Sequence, residues 1–460
     1  MRIPTSRYFQ ERKVGTVLAW YNNKWAYQLL TKDEHQNYIQ NFMASTTSFD
    51  KTGVRNYALV TAAYWGFTVT DGALRMLVLL YFHTLGYSPF EVAMLFLFYE
   101  IFGIVTNLFG GWIGSQLGVK LTLYGGIALQ IGALLMMTPV NEAWALALAI
   151  PYVMAAQAVS GIAKDLTKMS SKSAIRLVIP QEAQSSLFKW VAILTGSKNA
   201  LKGVGFFLGS VLLAVFGYVN ALLIMAGGLF LILLSSRWLP SGMGKIKAKI
   251  KFRQLFSKSR EINILSAARF FLFGARDVWF VVGLPVFLYS QLNWTFEQVG
   301  GFLAIWVIGY GIVQSLAPTL LKRFGSGNPP QASTIRFWTG FLTAMPVAIA
   351  LSLQAGLPPG RTIVIGLMAF GIVFAFNSAV HSYLVLAYTE GDKVALNVGF
   401  YYMANSGGRL AGTVLSGVIF QLYGLVGCLW ISAIFVLLAE LITLKLSNPK
   451  SERAIAQKVQ

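Results

Sequence analysis

The stretch SAARFFLFGARDVWFVVGLPVFL, Ser266 to Leu288, is apolar enough to lie in a bilayer yet carries Arg269, Arg276 and Asp277. Each such charge costs on the order of 2.5 to 3.5 kcal/mol at the centre of a spanning helix by insertion scales. Charges kept inside a span face a water-filled cavity or a partner, so this helix is expected to form one wall of a polar pathway.

The whole chain supports that reading. Of its 460 residues 56% are hydrophobic and 12% charged, with 33 Phe and 12 Trp. Soluble domains hold about 25% charged residues, so the composition is that of an integral membrane protein with many helical spans. A net charge of +20 would suggest nucleic acid in a soluble chain, but Lys and Arg crowd the cytoplasmic loops of membrane proteins, and no nucleic-acid partner is expected. A single cysteine, Cys428, excludes an intramolecular disulfide and a thiolate cluster, and His35, His83 and His381 are too scattered for a zinc site. No cofactor or metal is implied. The scarcity of His and Cys also argues against a membrane-embedded enzyme.

Apolar runs of about 20 residues recur from Asn56 onward. Twelve spans are read near 56–83, 89–113, 118–139, 143–164, 189–217, 219–239, 262–290, 297–321, 335–354, 361–388, 393–422 and 424–446. The expected fold is therefore an all-α integral membrane protein of two six-helix bundles. Its parts are an N-terminal extension (1–54), a first bundle (55–240), a basic linker (241–261), a second bundle (262–446) and a tail (447–460). In the extension, VGTVLAWYNNKWAYQLL (14–30) reads either as a helix at the membrane surface or as part of a tail without regular structure. No apolar run follows a charged start there, so no cleavable signal peptide is expected.

Loops on one side carry Lys120; Lys164, Lys168, Lys172, Arg176 and Lys189; the run KIKAKIKFRQLFSKSR (245–260); Lys322, Arg323 and Arg336; and Lys393, whereas the opposite loops hold only Arg361. The positive-inside rule then places both termini and the linker in the cytoplasm, and the basic run reads as topogenic or as a contact for anionic lipid. The two halves also show a thin repeat. Shifting the first span by 206 residues sets Asp71 on Asp277, Phe90 on Phe296 and Glu91 on Glu297, within LGYSPFEV and QLNWTFEQV.

Intramembrane charges are the candidate site. Asp71 and Arg75 stand four apart and are expected to pair; Lys198 and Lys202 also share a face, where like charges repel unless an anion lies between them. Thr195 and Asn199 flank that face with neutral hydrogen-bonding groups. Substrate binding is therefore assigned to Arg75, Arg276, Lys198, Lys202, Thr195 and Asn199. Asp71, Asp277, Glu100 and His381 are candidates for proton coupling or ion pairing, although Glu100 and Asp165 also read as structural partners of nearby cations and His381 as a hydrogen-bonded core residue. Lys164, Asp165 and Lys168 sit in AKDLTK, read as the end of the fourth span. Arg269 is read as snorkelling to the near interface, and Arg409, after the small residues NSGG, as part of a gate with Lys164 and Asp165. Trp65, Tyr64, Trp279, Trp306 and Tyr310 line the pathway or pack between helices. Cations outnumber anions, which implies a small anionic organic substrate, since Arg forks suit oxyanions.

The two-halved layout resembles the major facilitator superfamily. GWIGSQLGVK (111–120) keeps two glycines and the last Lys of the loop signature but has Ser115 where the family places Asp, and GVGFFLG (203–209) lacks the Gly-Pro step of the antiporters' fifth span. Five strings, DGALRMLVLLYFHTLGYSP (71–89), SGIAKDLTKMSSKS (160–173), LTGSKNALKGVGFFLG (194–209), INILSAARFFLFGARDVWFVVGLPVF (262–287) and WVIGYGIVQSLAP (306–318), resemble the ArsJ organoarsenical efflux permeases. That resemblance implies export of 1-arseno-3-phosphoglycerate across the plasma (inner) membrane for arsenate resistance. It also implies a functional link to glyceraldehyde-3-phosphate dehydrogenase without a required complex. A dianion of this kind needs two cationic poles, Arg75 with Arg276 and Lys198 with Lys202. Arsenite would need soft thiolates, which one Cys cannot supply. The expected mechanism is alternating access about a midplane site. Proton exchange at Asp71 and Asp277, downhill uniport and phosphate exchange all fit the residues, as does an organophosphate exchanger or, more remotely, a sensor.

Overall fold

The computed structural model describes residues 51–175, 184–236, 259–324, 330–388 and 394–447. Outside the described residues fall the segment 14–30, most of the 1–54 extension, nearly all of the 241–261 linker and the tail from 448 onward. The side chains of Thr195 and Ser115 also fall outside them.

Among the described residues every regular element is α-helical: α1 (Lys51–Thr84), α2 (Pro89–Leu95), α3 (Leu97–Met137), α4 (Leu146–Ile175), α5 (Gln184–Ser236), α6 (Arg260–Phe280), α7 (Gly283–Ser290), α8 (Phe296–Phe324), α9 (Ala332–Gln354), α10 (Pro359–Ala387) and α11 (Val394–Thr443). Three of these are double. Gly118 (φ 78°), Gly217 (φ 72°) and Gly424 (φ 62°) break α3, α5 and α11 with backbone that only glycine adopts without strain.

Packing registers show that the chain reverses at each of these glycines. Before Gly118, Tyr99 and Thr106 meet Gly161 and Asp165, so the register ascends; after it, Thr122 and Gln130 meet Ser170 and Ser160, so it descends. In α5, Ser197 and Gly209 meet Trp65 and Ala73, whereas Tyr218 and Ile232 meet Phe82 and Gly66. In α11, Asn405 and Ser416 meet Arg269 and Gly283, whereas Cys428 and Phe435 meet Gly283 and Gly274. One residue thus replaces a loop in each hairpin. Counting these reversals, and α2 and α7 as the ends of longer crossings, gives twelve legs in two bundles of six. Nine apolar segments are long enough to cross a membrane among the described residues. Two of those are double hairpins, and α1 supplies the twelfth leg.

The polarity of a soluble protein is inverted. Leu231, Ile365 and Phe337 lie on the outside with about two-thirds of their surface exposed, while the interior holds Arg75, Glu100, Arg269 and Asp277. Hydrocarbon can cover the first set and cannot solvate the second. The segment Arg260–Ser290 is the most enclosed of the nine, with 83% of its most apolar window buried, against 28% for Ala332–Gln354.

That segment is read from sequence as one continuous helix, and the structure divides it. Pro285 has no N–H and its ring clashes with the carbonyl four residues back, which opens the ladder at Val281 and Val282. Ser416 Oγ accepts from the freed amides of Val282 at 3.2 Å and Gly283 at 3.0 Å. The break therefore leaves those donors satisfied.

The two-fold repeat is present, but in a different register from the one that sets Asp71 on Asp277. Gly205 and Gly209 sit against the carbonyls of Val69 and Ala73, and Gly408 and Gly412 sit the same way against Phe270 and Gly274. Both first-helix carbonyls shift by 201 residues, which makes Arg75 the counterpart of Arg276. At the turn the shift is 207. Ser88 and Glu91 exchange backbone and side-chain hydrogen bonds at 2.8 and 3.3 Å, and Thr295 and Gln298 repeat this capping box at 2.9 and 3.4 Å. The second bundle's first helix is longer between its packing glycine and its turn, so no single offset aligns both features.

Candidate functional site

Where the bundles meet, an alternating chain of charges runs from α1 to α6. Arg75 Nη2 donates to Glu100 Oε1 at 2.8 Å, and Arg409 Nη2 donates to the same oxygen at 2.5 Å. Arg409 Nε then donates to Asp277 Oδ2 at 3.2 Å, and Arg276 Nε to Asp277 Oδ1 at 2.6 Å. Glu100 and Asp277 are 1% and 0% exposed, so these pairs form in low dielectric. Glu100 belongs to the first bundle and Arg409 to the second. Their contact ties the halves together at the level of the intramembrane charges.

Two expectations from the sequence do not hold. Asp71 does not pair with Arg75; it accepts from Tyr99 Oη at 2.6 Å, while Arg75 turns to Glu100 on the neighbouring leg. Arg75 and Arg276 do not face each other as a bare clamp, because Glu100, Arg409 and Asp277 lie between them in the chain of ion pairs. Arg409, read from sequence as part of a gate, pairs with both Glu100 and Asp277 and so sits at the centre of the network. Its position follows from Gly408 and Gly412, which bring α11 against α6 closely enough for the guanidinium to reach Asp277.

A second cluster lies beside the first on α3 and α4. Asp165 accepts from Thr106 Oγ1 and from Lys168 Nζ at 3.3 Å; Lys168 also donates to Asn107 Oδ1 at 2.6 Å, and Asn107 Nδ2 crosses to Ser406 Oγ at 3.2 Å. Lys164 Nζ lies 3.8 Å from the centre of the Tyr99 ring. The sequence places these residues at the end of the fourth span, yet α4 continues to Ile175 and Asp165 is fully buried. They lie two turns or more inside the helix.

Lys202 sits within electrostatic reach of Arg75, Asp71, Arg409 and Lys198, with its ammonium 5.7 Å from the Phe206 ring centre. Lys198 stands one turn before it on α5. Asn199 Nδ2 donates to Gln314 Oε1 on α8 at 3.2 Å, a further link between the halves. The gap between Asp71, Arg75, Tyr99, Gln157 and their neighbours has no room for a water-sized molecule, far short of the roughly 300 Å³ at which ligand pockets begin. The network is closed on itself in this conformation.

Arg269 does not snorkel. It is 4% exposed, donates to Asn405 Oδ1 at 3.0 Å and Ser378 Oγ at 3.1 Å, and lies 3.9 Å from the Phe273 ring centre. His381 is fully buried, and neither ring nitrogen has a hydrogen-bond partner among the described residues, contrary to its reading as a hydrogen-bonded core residue. Of the aromatic candidates, Trp279 and Trp306 pack edge to face at 5.6 Å, and Trp306 Nε1 donates to the Leu367 carbonyl. Tyr310 stacks on Trp306 and reaches Ser378, Trp65 binds Ser197, and the Tyr64 carbonyl receives Thr68 Oγ1.

Sequence reading passed over Tyr99, Asn107, Gln314, Ser378 and Asn405. Their shared signal is a side-chain hydrogen-bonding group in an otherwise apolar span, where it must find a partner inside the protein.

Comparison with known proteins agrees with this architecture. Among solved structures, the chain is similar to a mutant of the nucleoside transporter NupG, with a TM-score of 0.64 at 15% identity over 85% of this chain and 98% of that one. It is similar to a bacterial homologue of the iron transporter ferroportin in an inward-facing state, at 0.62 and 15% over 85% and 98%. A POT family transporter in complex with a thioalcohol-conjugated peptide gives 0.68 at 13% identity over 85% and 96%. At such identities the likeness is one of fold. No curated protein matches the sequence. The sequence model of the Major Facilitator Superfamily matches residues 58–357, well over half of the chain. With its helical hairpins, two bundles and interior charges, the chain belongs to the Major Facilitator Superfamily and is a secondary transporter, not an enzyme.

Proposed function

We propose that the chain exports a small organic anion by alternating access, and that this anion is of the 1-arseno-3-phosphoglycerate class. One observation carries the reading: the buried centre is cationic. Six cations (Arg75, Lys164, Lys168, Lys202, Arg276 and Arg409) meet four carboxylates (Asp71, Glu100, Asp165 and Asp277) among the described residues. An uncompensated cation in a dry interior is costly, and an anionic ligand removes the cost. An oxyanion of the substrate would compete with Glu100 for Arg75 and with Asp277 for Arg276. Drawing those arginines away leaves Arg409 as the remaining partner of Glu100 and Asp277, and the Glu100–Arg409 pair is the one that joins the bundles, so binding acts on that junction and couples to the rocking of one half against the other. The strings around Lys164, Lys198 and Arg276, which resemble the organoarsenical permeases, supply the more specific identity.

In this reading both termini face the cytoplasm of the plasma (inner) membrane. The dehydrogenase acts as metabolic supplier of the substrate, without forming a complex with the carrier. An exchanger of phosphate or organophosphate within the same superfamily is the second reading, favoured by the same arginines. The two separate in an arsenate-sensitive cell carrying this chain with and without a glyceraldehyde-3-phosphate dehydrogenase. Protection only when both are present supports conjugate export; protection without the dehydrogenase, or none at all, refutes it.

A further inference from the structure

We infer that Arg269, Ser378 and His381 form a second oxyanion subsite, separate from the Arg75–Arg276 network. The inference rests on the reading of the chain as an anion carrier and supplies the second pole of the substrate. It replaces Lys198 and Lys202 in that role.

The charge around Arg269 is unbalanced. Arg269 is as buried as Arg75, yet no carboxylate pairs with it among the described residues. Its acceptors, Asn405 Oδ1 and Ser378 Oγ, are neutral, and the rings of Phe273 and Tyr401 flank it at 3.9 and 5.1 Å. A guanidinium carries five N–H donors, and these contacts occupy two of them. An isolated buried cation is destabilising unless something anionic visits it.

Two further groups lie near Arg269. His381, one turn beyond Ser378 on α10, is fully buried with both ring nitrogens unpartnered, and it lies within electrostatic reach of Arg269. Ser378 Oγ is approached at 3.1 Å by Arg269 Nη1, Tyr310 Oη and Gln314 Nε2 alike. A serine hydroxyl accepts two hydrogen bonds and donates one, so all three contacts hold at once when Ser378 donates to Tyr310 Oη, and an incoming oxyanion would take over as acceptor from the guanidinium. Every group around the guanidinium is therefore a donor or neutral. That is the chemistry of an oxyanion site.

Position fits as well. Arg269 and Arg276 are two turns apart on α6, about 10 Å along the axis, and the Phe273 ring contacts both guanidinium groups. An elongated molecule with an anion at each end could bridge them along one helix face.

The test uses the purified full-length chain in detergent and 3-phosphoglycerate, which carries a carboxylate and a phosphate on three carbons, with calorimetric titration and thermal unfolding as readouts. The expected results are saturable binding by the parent, at least tenfold weaker binding by Arg269→Gln, weaker binding by His381→Asn, and partial recovery in Arg269→Lys. In the absence of ligand, Arg269→Gln should unfold at the parent's temperature or above, because it removes an unpaired buried charge; a purely structural arginine would lower it. Unchanged affinity in both variants, or a lowered unfolding temperature in Arg269→Gln, overturns the subsite. Absence of 3-phosphoglycerate binding to the parent overturns it too. Binding that depends on Arg269 in a chain that gives no arsenate tolerance leaves the subsite standing and rejects the organoarsenical assignment.

Discussion

Replacing Glu100 by Gln removes one charge from the only carboxylate that accepts from both Arg75 and Arg409 among the described residues. The side chain is 1% exposed, its partners are 7% and 16% exposed, and the contacts are 2.8 and 2.5 Å. Removing one member of a buried ion pair costs about 3–5 kcal/mol, because the remaining charge stays buried without compensation. Here two arginines are left, but Arg409 retains Asp277 at 3.2 Å and the Gln carbonyl still accepts one bond. The loss therefore belongs near the lower end, about 3 kcal/mol. Adding Arg409→Gln restores the local charge balance, so the double variant should be more stable than the sum of the singles by 1 kcal/mol or more. Reversible unfolding of the purified chain, run as a double-mutant cycle, measures both quantities. A Glu100→Gln variant as stable as the parent, or a coupling energy near zero, would refute the claim that this network joins the bundles.

Ser416→Ala should leave the amides of Val282 and Gly283 without an acceptor, at roughly 1–3 kcal/mol for each; faster hydrogen exchange at those two positions checks it. A methyl group at Gly412 would lie 2.8 Å from the Gly274 carbonyl oxygen and from Asp277 Cβ, so Gly412→Ala should cost about 1–3 kcal/mol and lower transport, read by unfolding and by uptake. Arg276→Gln should abolish transport while the protein still reaches the membrane, as membrane-fraction blots and uptake assays together would show. Cys428 is fully buried, so a bulky maleimide should label it only after denaturation.

The composition and the run of apolar segments carry most of the fold, because a bilayer admits few alternatives to helices of about 20 residues. The charges on the helix that begins at Ser266 are equally readable, since their insertion cost marks them as interior groups. Pairing is harder. Asp71 and Arg75 share a face, but sharing a face does not decide which neighbour the guanidinium reaches once a second leg brings Glu100 within 2.8 Å. Register is hidden for a similar reason. Gly205, Gly209, Gly408 and Gly412 look like small residues suited to packing, and only the rotation of each helix shows that they bring Arg75 and Arg276 to matching places. Arg269 was assigned by its nearness to the helix start, a linear measure that ignores whether the side chain points toward lipid or toward Ser378 and Asn405.

The central claim is that the cationic interior carries an organic anion out of the cell. Inside-out vesicles containing the chain, supplied with arsenate, glyceraldehyde-3-phosphate, oxidised nicotinamide cofactor and the dehydrogenase, test it most directly by arsenic accumulated in the lumen. The account predicts accumulation that requires the dehydrogenase and is lost with Arg276→Gln. Accumulation no greater than in vesicles without the chain, or equal with and without the dehydrogenase, would contradict it.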